Sequence, residues 1–186
     1  MRRTRMLLQG ALQKLMQGKS FDEISVQDIT EAATVNRATF YDHYTDKFAL
    51  LDAMVAGGFH KLLEQRSVRY DGTCTSAAAP VILAACDYLV QCHSNSSCTQ
   101  QSAFEPLIES AMTKAIRRVL IEGIHKEGPA PGFPPEMVAT TASWAIYGAV
   151  KAWFNTPGRP PAEEIVPVIL RLVLPILQSA APAVAG

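Results

Sequence analysis

Residues 25–44 read SVQDITEAATVNRATFYDHY, and this stretch predicts the fold of the 186-residue chain. Ser25 is a favourable N-cap, and Asp28 stands three residues later, in the position of a capping-box acid. Asn36 is suited to cap a second short helix after a tight turn. Two short helices around a tight turn form a helix-turn-helix, in which one helix braces and the next lies in the major groove of DNA.

Further helices are predicted on both sides of this motif. A first helix follows from apolar residues at spacings of three and four, namely Leu8, Ala11, Leu12, Leu15 and Met16. Gly18 would end it, and we expect Phe21 and Ile24 to be buried in the connector. Asp46 can cap a fourth helix, whose apolar residues include Phe48, Leu51, Val55, Phe59 and Leu62.

Composition indicates a globular chain with a sizeable core. Hydrophobic residues make up 48% of the sequence, which also leaves apolar surface for a partner or ligand. The formal net charge is zero, so bulk charge does not indicate nucleic-acid binding. Arg2, Arg3 and Arg5 would form either a basic arm that meets DNA or a solubilising tail.

The first fifty residues resemble the DNA-binding head of the TetR family of bacterial transcriptional regulators. The matching motifs are Val26-x-x-Ile29, Ala33-x-Val35, Thr39-Phe40-Tyr41-x-x-Tyr44 and Asp46-Lys47-x-x-Leu50-Leu51. A generic helix-turn-helix requires neither the paired aromatic residues nor the following Asp-Lys. The resemblance implies an all-α fold of about nine helices. A three-helix head over residues 1–46 would precede an effector-binding and dimerisation body over residues 47–186.

Two positions depart from the family pattern. The family usually has Gly where this chain has Thr34, and Ser where it has Asn36. Gly is favoured because the residue after a helix often adopts a positive φ, where a β-branched residue costs on the order of 1–2 kcal/mol. Either the head carries that strain or the turn is reshaped.

The resemblance also implies a set of DNA contacts. Tyr41, Tyr44 and Lys47 would contact the DNA backbone, the phenols as hydrogen-bond donors and the ammonium as a charge. Arg37 and Thr39 would lie near base edges or phosphates, since arginine can read guanine and a Thr methyl can meet thymine. The full predicted DNA-binding set is Ser25, Asn36, Arg37, Ala38, Thr39, Tyr41, His43, Tyr44 and Lys47, in which His43 is either a contact or an ordinary helix-end residue.

The last two predicted helices, over residues 136–155 and 162–178, are apolar on most sides. Such helices must be buried on most sides, so we expect a two-fold partner to offer the same pair and form a four-helix interface. The alternative is that both belong to the monomer core. A dimer would read a palindromic operator with half-sites about 34–36 Å apart. Pro167 and Pro175 are expected to kink or locally break the last helix.

The family usually encloses a small-molecule pocket in the body, and ligand binding moves the fourth helix. Here that helix contains Gly57-Gly58, which would permit either bending or the close approach of a neighbouring helix. Apolar and aromatic walls suit a hydrophobic or aromatic effector. The candidate ligand-binding residues are Phe59, Leu63, Cys86, Tyr88, Leu89, Phe104, Met112, Trp144 and Tyr147.

Other chemistries have less support in the sequence. There is no nucleophile elbow, P-loop, HExxH or carboxylate pair, so no catalytic residue and no enzyme activity are expected. Cys92-His93 and Cys98 lack metal-ligand spacing, so no metal or cofactor is expected, although Cys92 and Cys98 leave a thiol switch open. Residues 1–16 lack a continuous apolar segment and no membrane-length apolar run occurs, so we expect a cytoplasmic protein with reduced thiols.

These observations lead to one interpretation and one alternative. The chain is expected to be a homodimeric repressor without enzyme activity, released from a palindromic operator by a small hydrophobic or aromatic effector. The alternative is a DNA-binding regulator that responds to a protein partner or to the redox state of its cysteines.

Overall fold

The computed structural model describes residues 2–65, 74–94, 101–127 and 133–179. Within these ranges every regular element is a helix, which confirms the all-α prediction, with eight helices there against about nine predicted for the chain. The helices are α1 (Arg2–Leu15), α2 (Val26–Ala33), α3 (Arg37–Tyr41), α4 (Lys47–Gln65), α5 (Cys74–Ser94), α6 (Gln101–Glu127), α7 (Pro135–Phe154) and α8 (Ala162–Gln178).

The chain forms two compact units. The first comprises Met1–Gly57 and Cys92–Ala111, and the second comprises Gly58–Gln91 and Met112–Gly186. The boundary falls inside α4, between its two adjacent glycines. The division into a DNA-binding domain up to residue 46 and an effector domain after it stays a prediction, because it concerns function and not compactness.

The first unit contains a helical head around one apolar core. α1 packs against α2, and α2 packs against α3. Most of the apolar residues picked out in the sequence are buried here, and the core includes Leu8, Leu12, Phe21, Ile24, Ile29, Phe40, Leu50 and Leu51, whereas Phe48 is 48% exposed. Leu15 and Met16 lie at the edge of the stripe and are half-buried.

In the second unit, α7 packs against α8. α7 contributes the buried residues Val138, Ala142, Ile146 and Val150, and α8 contributes Val166, Ile169, Val173 and Leu177. The Trp153 Nε1 donates to the Pro160 carbonyl at 2.9 Å, and the Arg159 guanidinium lies 4.5 Å from the Phe154 ring centroid. These contacts hold the α7–α8 loop, in which Gly158 adopts a φ of +67°.

Of the two effects expected from proline in the last helix, a local break does not occur, and a kink stays a prediction. α8 runs without interruption through Pro167 and Pro175. Both rings are exposed, and so are Glu163 and Arg171, the residues four positions earlier whose carbonyls lose a helical donor. Water can therefore satisfy those carbonyls, and the helix continues.

The two glycines of α4 have different surroundings. A Cβ on Gly58 would lie 3.0 Å from the Tyr88 Cε2, whereas a Cβ on Gly57 would meet no atom within 4 Å. α4 is continuous across both residues. Of the two readings of the pair, close approach therefore fits Gly58, where the Tyr88 ring of α5 packs on the bare backbone. In the described part of the chain, no helix has the length and apolarity needed to cross a membrane.

Candidate nucleic-acid interface

The start of α2 is held by a capping box, as the sequence predicts. The Ser25 Oγ accepts from the Asp28 backbone N at 3.1 Å, and the Ser25 backbone N donates to the Asp28 Oδ2 at 2.8 Å. Hydrogen bonds from the Ser25 hydroxyl and backbone N, followed by one from Lys19, hold the pKa of Asp28 well below its usual range. The side-chain oxygen of Ser25 is therefore committed to the helix start.

Two outcomes were expected for the turn between α2 and α3, a strained residue 34 or a reshaped turn, and the structure shows the strained residue. Thr34 adopts φ 55° and ψ 46°, and no other non-glycine in the described residues has a positive φ. Its backbone N donates to the Glu31 carbonyl at 3.1 Å, and the Val35 N donates to the Thr30 carbonyl at 3.0 Å. These two bonds form a Schellman motif, in which the residue at this place is usually Gly.

α3 is a short helix with one buried and one exposed side. Asn36 caps it by accepting from the Ala38 backbone N at 3.0 Å, as predicted. Phe40 faces the core and is fully buried. On the opposite side the Arg37 Nη2 donates to the Tyr41 hydroxyl at 3.3 Å, and both side chains are exposed. The structure thus brings Arg37 and Tyr41 together on one exposed surface.

The other residues of the predicted set have mixed environments. Ala38 is exposed, and Thr39 and His43 are half-buried. Tyr44 is only 8% exposed, lies 6.0 Å from the Phe40 ring between centroids, and accepts a hydrogen bond from the Gln9 Nε2 at 3.3 Å. Most of the Tyr44 ring belongs to the core, while its hydroxyl keeps a proton to donate.

The Lys47 ammonium has contacts that sequence reasoning missed. Its Nζ donates to the carbonyls of Phe21 at 2.9 Å, Asp22 at 3.1 Å and Ile24 at 2.8 Å. It also lies 4.8 Å from the Phe21 ring centroid. An ammonium has three N–H groups, and here all three are directed at the connector between α1 and α2. No local sequence signal joins positions 23 to 26 residues apart, so only the structure reveals these contacts.

The candidate ligand-binding residues lie mainly in the core of the second unit. Phe59, Leu63, Cys86, Tyr88, Leu89, Met112 and Tyr147 are buried. Trp144 is half exposed on α7, so it does not belong to a closed apolar wall, and the Phe104 side chain lies outside the described residues. A groove of about 350 Å³ lies elsewhere in this unit and is lined by Phe133, Met137, Val138, Thr141, Pro175, Ile176 and Ser179.

The cysteines give limited information about redox or metal chemistry. Burial raises the pKa of the Cys86 thiol to about 12, and the Asp87 carboxylate adds to the shift. Cys92 is half-buried, whereas Cys74 and Cys98 lie outside the residues whose side chains are described. In the part of the chain that is described, no three His, Cys, Asp or Glu residues cluster as a metal site would require.

α7 and α8 also present an outward apolar face. Met137 is 58% exposed, Trp144 51%, Val168 47% and Leu172 68%. On α7, the exposed residues Thr141 and Gly148 fall on the same helical stripe as Met137 and Trp144, and on α8 Val168 and Leu172 are four residues apart. Exposed large apolar side chains therefore follow a stripe on each of the two helices.

The capped helices, the Schellman turn and the exposed face of α3 define a helix-turn-helix protein. Residues 7–54 match the family described as "Bacterial regulatory proteins, tetR family". The match covers the helix-turn-helix head and less than half of the chain, so it is the head that is similar to this family of regulatory proteins.

Two curated relatives match over part of the chain. Over 67 residues the chain is 36% identical to the uncharacterized HTH-type transcriptional regulator YxbF of Bacillus subtilis (strain 168), covering 36% of this chain and 18% of that protein. Over 67 residues it is 31% identical to the HTH-type dhaKLM operon transcriptional activator DhaS of Lactococcus lactis subsp. lactis (strain IL1403), covering 36% of each. The matched part therefore spans well under half of either relative.

The fold likeness extends over nearly the whole chain. A TetR-family regulator of Streptomyces coelicolor A3 superposes with a TM-score of 0.63 at 16% sequence identity. The match covers 95% of this chain and 96% of that chain. At this identity the likeness establishes a shared fold and does not carry a ligand or an operator from one protein to the other.

Proposed function

We propose that the protein is a homodimeric DNA-binding transcriptional regulator that acts on a palindromic operator in the bacterial cytoplasm. The observation that carries this proposal is the exposed face of α3, where Arg37 and Tyr41 stand side by side on a capped head. One phenol hydroxyl and one guanidinium with five donors offer the groups that phosphates and guanine edges accept.

The proposed contacts follow from exposure. Arg37 and Tyr41 would make the principal contacts, with Ala38, Thr39 and His43 beside them and Tyr44 donating from the edge of the core. The side-chain oxygens of Ser25 and Asn36 are engaged as caps, so these two residues would contribute by orienting the helix starts that face DNA. The phosphate contact that the resemblance implies for Lys47 competes with its three carbonyl partners.

Dimerisation would use the outward face of α7 and α8. Gly148 and Ala152 are exposed on α7, and small residues at these positions would let a partner helix approach closely. A second copy offering the same face would form a four-helix interface and would place two heads on one side of the DNA.

Sedimentation of a charge variant tests this interface. Leu172→Glu should shift micromolar protein from dimer to monomer in analytical ultracentrifugation, because the carboxylate would be buried without a partner. Met6→Glu is a matched control, since Met6 is 66% exposed on α1, and it should leave the dimer intact. A wild-type monomer at micromolar concentration contradicts the proposed assembly.

We also propose that a small hydrophobic or aromatic effector releases the protein from its operator. The buried apolar and aromatic residues of the second unit support this class of ligand. The proposed sign of regulation is repression, and DhaS, whose name describes an activator, is a reason to measure the sign directly.

A protein partner or thiol chemistry is the alternative means of control. Cys86 is a poor redox sensor, because its raised pKa keeps the thiol protonated at neutral pH. Equal operator affinity in peroxide and in excess reductant would exclude the thiol route. Loss of affinity with hydrophobic compounds would favour the small effector.

Selection of bound DNA from a random pool tests the central proposal. We expect enrichment of a palindrome with half-sites separated by about one helical turn of about 34–36 Å. Repeating the selection with a panel of hydrophobic compounds tests the effector. Failure of the wild-type protein to enrich any palindromic sequence overturns the proposed function.

A further inference from the structure

The Lys47 ammonium lies among three carbonyl oxygens of one short segment. The carbonyls of Phe21, Asp22 and Ile24 accept from it at 2.8–3.1 Å. The Phe21 ring lies below it at 4.8 Å, and the Phe48 ring is 5.8 Å from it, measured to the centroids. We call this arrangement of Lys47 with residues 21–24 the Lys47 latch.

The latch suits an ammonium and not a guanidinium. Three donors diverge from a single nitrogen in lysine, so one point can serve three carbonyls that converge on it. Arginine spreads its donors over a planar fork and cannot aim three of them at one convergent site. Phe21 is buried and packs edge-on against Phe48, with centroids 5.3 Å apart. The Lys47 ammonium lies within cation–π range of both rings.

The latch joins the two ends of the helix-turn-helix. Ile24 directly precedes the Ser25 cap of α2, and Lys47 is the first residue of α4. Residues 25–46 contain α2, the Thr34 turn and α3. Ile24 precedes this segment and Lys47 follows it, and the two are joined by a hydrogen bond of 2.8 Å from the Lys47 Nζ to the Ile24 carbonyl oxygen. A contact at this place restricts how α2 and α3 can move against the start of α4.

We propose that Lys47 is a positioning residue that closes the helix-turn-helix and does not bind a DNA phosphate. Its ammonium is fully used by the connector, so its effect on DNA binding passes through the geometry of α2 and α3. The part of this proposal that concerns DNA rests on the proposed function, whereas closure of the head is a property of the protein without DNA.

A first experiment, done without DNA, measures amide hydrogen exchange in the connector between α1 and α2. The Glu23 and Ile24 amides donate to the Ser20 and Phe21 carbonyls, at 3.1 and 3.2 Å. In Lys47→Met and in Lys47→Arg, exchange at both amides should be about tenfold faster than in wild type, because a lost charged hydrogen-bond network loosens the segment. Lys61→Met, which removes an exposed lysine of the same helix, should leave exchange unchanged.

A second experiment measures the affinity for operator DNA as a function of salt concentration. A phosphate contact in each subunit of a dimer would lower the slope of log K against log salt by about 1.8 when lysine is removed. We expect Lys47→Met to bind about tenfold or more weakly with an unchanged slope. Lys47→Arg should bind as weakly, although arginine is a good phosphate ligand.

The outcomes separate this proposal from the proposed function. A slope lower by about 1.8 in Lys47→Met, wild-type affinity in Lys47→Arg, or wild-type exchange in Lys47→Arg each overturns the positioning role. If Lys47→Met does not fold, Lys47→Arg decides, because it keeps the charge and stem. If the wild-type protein enriches no operator, the proposed function fails. The amide-exchange experiment still decides whether Lys47 holds the connector to the start of α4.

Discussion

Replacing Thr34 by glycine should stabilise the head. Thr34 occupies the left-handed region at φ 55° and ψ 46°, where a residue with a Cβ costs about 1–2 kcal/mol. The turn's hydrogen bonds use only backbone atoms, so Thr34→Gly keeps them. Glycine also gives the unfolded chain more conformational freedom, and this removes about 0.5–1 kcal/mol of the stabilisation gained from relieving the strain. The net expectation is a gain of about 1 kcal/mol.

A matched control uses the same new residue two positions earlier. Ala32 is exposed within α2, where helical geometry gives glycine no advantage. Ala32→Gly should destabilise the head by up to about 1 kcal/mol. Thr34→Ala should stay close to wild type, since alanine keeps the Cβ that strains the turn. The two glycine variants are therefore expected to change stability in opposite directions.

The assay must report on the first unit. Both tryptophans, Trp144 and Trp153, lie in the second unit, so their fluorescence does not follow the head. Amide exchange of the slowest-exchanging head amides does, and 1 kcal/mol corresponds to about a fivefold slower rate in Thr34→Gly. If Thr34→Gly speeds exchange as much as Ala32→Gly does, the strain argument for this turn is refuted.

Three further predictions concern stability. Gly158→Ala should lower the unfolding free energy by about 1 kcal/mol, because a residue with a Cβ is strained at a φ of +67°. The added Cβ would meet no atom within 4 Å, so the strain is the only expected effect, and thermal unfolding measures it. Gly57→Ala should raise helix stability by up to about 1 kcal/mol in urea titrations, whereas Gly58→Ala should not, since its Cβ would press on the Tyr88 ring. The hydrogen bonds that lower the pKa of Asp28 stabilise the folded state at pH values above the ordinary aspartate pKa of about 3.9. This stability is lost as the pH falls through the lower folded-state pKa, so Asp28→Asn should make stability depend less on pH in the acid range. A variant profile parallel to wild type below pH 4 would contradict the last expectation.

Local signals predicted most of the head. Ser25, Asn36 and Asp46 act as caps at the three predicted helix starts, and Asp46 accepts from the Ala49 backbone N at 2.7 Å. Capping depends on residues within one turn of each other, so sequence spacing reveals it. The last helix spans residues 162–178 as predicted, and α7 agrees with its prediction within one residue at each end.

The candidate site was predictable only in part. The exposed pairing of Arg37 with Tyr41 follows from their i, i+4 spacing on a helix. The burial of Tyr44 did not follow, because its neighbour Gln9 comes from another helix. The contacts of Lys47 did not follow either, and the continuity of α8 depended on which way its prolines face.

The sequence by itself determined the class of this protein, because caps, apolar periodicity and the aromatic motif all act over a few residues. It also raised the question of strain at Thr34. Only the tertiary structure decided that the turn keeps the left-handed geometry and that the Lys47 ammonium points inward to the connector. The physical reason is range, since a backbone torsion under tertiary constraint and an ammonium shared by three carbonyls depend on groups that only folding brings together.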